Sequence, residues 1–75
     1  MVEDKEFEIQ SYGFGELARL YCPKSTHKSA NETLSRWIKL NQQLNSDLKK
    51  QGFYPGLRNL SPKMVELIVG AIGEP

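Results

Sequence analysis

At 75 residues the chain makes one domain with room for a single small core, because a chain of this size buries only about 60% of its unfolded surface. One cysteine excludes an internal disulfide, one histidine leaves no Cys/His set with zinc spacing, and no apolar run approaches the roughly 20 residues of a membrane span. The formal net charge of +1 hides a split: residues 1–16 carry five acids against Lys5 alone, a net of −4, and the remainder carries nine bases against Glu32, Asp47, Glu66 and Glu74, a net of +5.

The opening MVEDKEFEIQ is acidic and lacks the basic-then-apolar layout of a secretory leader, so a reducing cytoplasm is the expected location. Residues 1–6 read as a disordered acidic start and residues 7–75 as the domain. Phe7 to Gln10 alternate apolar and polar, which predicts a short half-buried strand. Gly13-Phe14-Gly15 follows as a turn. It is no dinucleotide fingerprint, because no third glycine stands at the required spacing.

Leu17, Leu20 and Tyr21 recur at helical spacing, so a first helix is expected over Glu16 to Tyr21, with Glu16 complementing the helix dipole. Pro23 ends it, since the residue before a proline avoids the helical region. Cys22 sits at this apolar end as a small hydrophobe. Lys24 to Lys28 form a polar loop containing His27, and Ser29 is the expected cap of the second helix.

In that second helix Ala30, Leu34, Trp37 and Ile38 make one apolar stripe, with Trp37 as a core anchor. Asn41 interrupts or bends it. Leu40, Leu44 and Leu48 carry the spacing through a third helical piece that Gly52 terminates. Pro55-Gly56 favours a type II turn, and a small hairpin is expected between Phe53-Tyr54 and Leu57–Leu60. Ser61 caps and Pro62 opens a last helix carrying Met64, Val65, Leu67, Ile68, Ala71 and Ile72, and Gly73 closes it. The expected fold class is mainly α with a small β-hairpin, three to four helices in a winged helix-turn-helix-like layout.

Catalysis has little to stand on. A general acid–base site needs converging groups, whereas His27 stands alone and the acids are scattered, so no enzyme, cofactor, metal or small-molecule substrate is expected. Nucleic-acid binding has more. A recognition helix needs an apolar stripe to hold it on the core and an opposite face of donors for bases and phosphates. Asn31, Ser35, Arg36 and Lys39 supply that face, Lys28 precedes it, and Arg58 and Lys63 stand at the wing and its exit. Each of these residue types also suits an ordinary solvated helix face. The expected partner is duplex DNA, with a homodimer through the apolar C-terminal helix as a further expectation. The alternative is a protein-interaction module of the same fold.

The stretches GELARLY, TLSRWIKLN and LRNLSPKMVELIVGAIG resemble MerR- and excisionase-type winged helix-turn-helix domains. Leu17-Ala18 matches their first helix, Leu34, Arg36 and Trp37 their second, and Arg58, Ser61 and Val65 the exit of the wing. The resemblance implies a role in transcriptional regulation or as a mobile-element accessory. The chain is also similar, over nearly all of residues 7–75, to a family of short, functionally unassigned proteins of gut anaerobic bacteria. Their pattern is a GELA-x-x-Y-x-P start, a central RWI and an ending like AIGEP.

Overall fold

The computed structural model describes residues 7–75, and the acidic start at 1–6, expected to be disordered, lies outside them. Four helices follow one another: α1 (Phe14–Tyr21), α2 (His27–Leu40), α3 (Gln42–Lys50) and α4 (Pro62–Ile72). Two short strands, β1 (Tyr12–Gly13) and β2 (Asn59–Leu60), pair antiparallel, Tyr12 opposite Leu60 and Gly13 opposite Asn59. The fold is mainly α with a small two-stranded antiparallel ladder, as the patterning predicts.

The ladder is not where local pairing was expected. Phe7–Gln10 forms no strand, because a strand needs a neighbouring edge, and the edge on offer among the described residues, at β2, is taken by Tyr12–Gly13. Phe7 instead stacks on Tyr12 with ring centroids 5.4 Å apart. Phe53-Tyr54 does not pair with Leu57–Leu60 either. The tight turn between them does form: the Leu57 N–H donates to the Tyr54 carbonyl at 3.1 Å, and Gly56 takes φ +93° at the position a type II turn reserves for glycine. Its flanks simply diverge, and the second of them feeds β2.

Local chemistry explains the helix ends. α1 begins two residues earlier than periodicity suggests. The Glu16 carboxylate reaches back to accept from the Gly13 N–H at 3.0 Å, half of a capping box, so Gly13 is the cap and Phe14 the first helical residue. α2 starts at His27 because Thr26, not Ser29, is its cap: Thr26 Oγ1 accepts from the Ser29 N–H at 3.1 Å. His27 and Lys28 therefore belong to the first helical turn and not to the loop.

Asn41 does double duty. Its N–H donates to the Trp37 and Ile38 carbonyls, closing α2, while its Oδ1 accepts from the Leu44 N–H at 3.0 Å, opening α3. At the end of α3 the Gly52 N–H donates to the Lys49 carbonyl and the Phe53 N–H to the Leu48 carbonyl, with Gly52 at φ +95°. This is a Schellman close, which turns the chain sharply and sends Phe53 back toward α1. Ser61 Oγ accepts from the Met64 N–H at 3.3 Å to cap α4, with Pro62 in its first turn, and Gly73 ends it.

The core gathers residues from every helix and from β2. Leu17, Ala18, Ala30, Leu34, Ile38, Leu44, Leu48, Leu60, Met64, Val65 and Ile68 are all buried, α1 lying on α2 and α3 on α4. Two members of the expected stripes fall outside it. Leu40 is 75% exposed, because the break at Asn41 resets the helical phase and leaves it at the corner; Leu20 is 44% exposed on the outer side of the short α1. Trp37 is half-buried rather than central, set edge-on against Tyr21 with centroids 5.9 Å apart at 87°. Tyr21 in turn donates its hydroxyl to the Gly73 carbonyl, tying the end of α1 to the end of α4. No helix among the described residues is long and apolar enough to cross a membrane.

Candidate functional site

Fourteen residues of α2 carry two faces. Ala30, Leu34 and Ile38, four residues apart, turn inward and are buried. Asn31, Glu32, Ser35, Arg36 and Lys39 turn outward and line a shallow, open concavity of about 500 Å³. The structure thus brings together four of the residues expected to face a nucleic acid, and adds one acid, Glu32, in their midst.

The remaining three lie elsewhere. Lys28 is exposed in the first turn of α2, one turn before Asn31, and lines no part of the concavity. Arg58 is exposed next to β2, its carbonyl accepting from the Phe14 N–H at 2.6 Å, so its backbone serves the ladder. Lys63 is exposed in the first turn of α4 with its Nζ 3.6 Å from Glu66. No hairpin wing forms around Pro55-Gly56, so Arg58 does not sit on a wing arm.

Asn31 is held differently from its neighbours. Its Oδ1 is buried without a hydrogen-bond partner among the described residues, and it lies against Gly15 of α1: a Cβ at Gly15 would stand 3.4 Å from it. A side chain at this position would meet Asn31 at the near edge of ordinary van der Waals contact, so the first turn of α1 lies close to α2 here.

A second, deeper depression adjoins the first along α2. It has a volume of about 380 Å³, and Asn31, Ser35 and Lys39 belong to both. Ile38 from α2, Phe14 from α1 and Phe53 and Leu57 from the segment after α3 line it, together with the Pro55-Gly56 turn. The Phe14 and Phe53 rings face each other at 6.3 Å, tilted by 34°. Asn45 and Lys49, one turn apart on α3, complete the lining, so Lys49 joins Lys39 at the same groove.

Lys49, Asn45, Phe14 and Phe53 were not singled out by sequence reasoning. A signal was present for two of them, since Asn45 and Lys49 each follow a buried leucine of α3, Leu44 and Leu48, and so share one face. That this face meets α2 depends on the angle at Asn41, which spacing does not reveal. Among the described residues no group of three or more His, Cys, Asp or Glu side chains could hold a metal ion.

Comparison with the curated proteins gives no match, and comparison with the solved structures gives none either. The family described as Domain of unknown function (DUF4248) matches residues 8–75, which includes all four helices, both strands and every residue of the two depressions, and the chain belongs to that family.

Proposed function

We propose that this protein is a small, non-enzymatic DNA-binding module that docks the outer face of α2 on a duplex, in the manner of a helix-turn-helix domain. One observation carries the reading: Asn31, Ser35, Arg36 and Lys39 stand on successive turns of one helix whose opposite face is locked into the core. A helix so anchored presents hydrogen-bond donors at a constant orientation, which is what reading base edges requires. Arg36 is the residue suited to a bidentate contact with a guanine edge. Lys39, with Lys49 across the groove, is suited to phosphates, and Lys28 extends the line of positive charge toward the start of α2. The likeness of TLSRWIKLN to the second helix of MerR- and excisionase-type domains points the same way, to transcriptional regulation or an accessory role in a mobile element.

Titration of labelled duplex DNA by fluorescence anisotropy at several salt concentrations tests this. Affinity should fall with rising salt, and the double variant Arg36→Ala, Lys39→Ala should weaken binding through the lost base contact of Arg36 and make the salt slope shallower by about 1, for the phosphate that Lys39 no longer neutralises. Absence of binding at about 50 mM salt, well below the range where counterion release weakens such complexes, would overturn the reading.

A second reading, a protein-interaction module of the same fold, is favoured by the exposed apolar side chains. Leu40, at 75%, and Tyr54, at 56%, are large and open to solvent. The apolar residues of α4 are less available for self-association than their sequence suggests, since Met64, Val65 and Ile68 are buried and Leu67, Val69 and Ile72 pack partly against the core.

A further inference from the structure

The groove beside the outer face of α2 has the makings of a small-molecule site. We infer that it binds a small amphipathic anion, an aromatic carboxylate being the chemical class that fits best. The apolar part of the lining comes from three separate stretches of chain, Phe14, Ile38 and the pair Phe53 and Leu57, and the tilted Phe14 and Phe53 rings offer faces and edges to a flat apolar body. Its volume of about 380 Å³ lies within the roughly 300–1,000 Å³ typical of sites for small ligands.

Charge decides the sign of the ligand. Lys39 and Lys49 are the charged residues among those lining the groove, no acid lines it, and neither lysine lies in a salt bridge among the described residues. Two ammonium groups on flexible stems flanking an apolar floor suit one carboxylate attached to one ring system. Ser35 and Asn45 add neutral hydrogen-bonding side chains for a ring substituent. A duplex on α2 would use Lys39 from outside and the ligand would use it from within, so the two would compete. The inference concerns a ligand rather than a substrate, and it does not rest on DNA binding.

Titration of the ¹⁵N-labelled full chain with 2-naphthoate, without DNA, and in parallel with neutral 2-naphthamide, tests it by NMR. Saturable shifts should concentrate on Phe14, Ser35, Asn45 and Phe53 to Leu57. Naphthoate should bind roughly tenfold more tightly than naphthamide, the gain expected from charge-assisted contacts at a partly open site. In the double variant Lys39→Gln, Lys49→Gln, whose spectrum reports directly that it is folded, the two compounds should bind alike. Shifts that do not saturate or that spread over the whole surface would overturn the inference, as would equal affinity for acid and amide in the unaltered chain. Failure of the anisotropy titration with DNA would leave this result untouched.

Discussion

The two faces of α2 are built from the same fourteen residues at the same helical pitch, yet they answer to different constraints. The inner face, Ala30, Leu34 and Ile38, is closed to solvent and packs on α1, α3 and their neighbours in the core. The outer face, Asn31, Ser35, Arg36 and Lys39, borders two open depressions; Arg36 and Lys39 are exposed, and Asn31 touches α1 at Gly15. Burial makes the first face costly to change and easy to predict. Exposure makes the second free to serve a partner, and no stability argument says which partner.

Breaking the inner face should have the largest effect. Leu34→Ala removes a fully buried side chain and should cost about 2–5 kcal/mol in urea unfolding, the range for such cavities, with much of the small domain's stability gone. Next comes the close of α3: Gly52→Ala places a side chain at φ +95° and should cost about 1–2 kcal/mol, since left-handed backbone penalises a Cβ by that much. It should also shift the Phe53 amide resonance, because the Schellman close is what aims Phe53 into the groove.

Asn41→Ala removes the cap of α3 at the junction with α2 and should cost about 1 kcal/mol by thermal or urea unfolding. It sharpens the comparison between the faces, since the same residue joins α2 to α3 and so brings Lys49 to the groove that Lys39 also lines. If naphthoate affinity survives Asn41→Ala unchanged, the groove does not depend on that junction.

The edge of the inner face carries a pH signature. Burial raises the Tyr21 phenol above its ordinary pKa of about 10, and the Glu74 carboxylate adds to the shift. With a folded pKa above the unfolded one, the contribution is fully present below about pH 10 and is lost as pH rises through the folded value, because the unfolded chain sheds its proton first. Tyr21→Phe should lower stability at neutral pH by somewhat under 1 kcal/mol, for the hydrogen bond to Gly73, and should flatten the alkaline decline. Unfolding curves between neutral pH and the alkaline range check both.

Smallest of all should be the effect of the outer face on folding. Arg36→Ala with Lys39→Ala should change stability by no more than about 0.5 kcal/mol, the usual bound for exposed positions, while weakening the proposed DNA binding. A large loss of stability would mean that the two faces are not separable.

Much of the fold was legible residue by residue. Asn41 as a break, Gly52 and Gly73 as terminators, Pro55-Gly56 as a turn and Ser61-Pro62 as a start are all found where the chain places them. Each depends on a side chain or a glycine meeting the backbone within about four residues, so neighbours in sequence suffice. The starts of α1 and α2, earlier than apolar spacing predicts, are local too: Glu16 reaches back to Gly13, and Thr26 rather than Ser29 supplies the cap.

What the chain could not disclose is everything that joins distant stretches. β1 pairs with β2 although three helices lie between them in the chain, and Tyr21 bonds Gly73, 52 positions further on. Leu40 lies at an exposed corner although its spacing matches Leu44 and Leu48. On the candidate site, sequence alone determined that α2 has a donor-rich face carrying Asn31, Ser35, Arg36 and Lys39. Only tertiary structure decided that Arg58 and Lys63 stand apart from it, that no wing arm forms, and that Lys49 and Phe53 meet Lys39 across a groove. The physical reason is range: helix phase and caps are set by bonds between near neighbours, whereas a groove is set by the angles at which packed helices cross, and those are fixed only when the whole core closes.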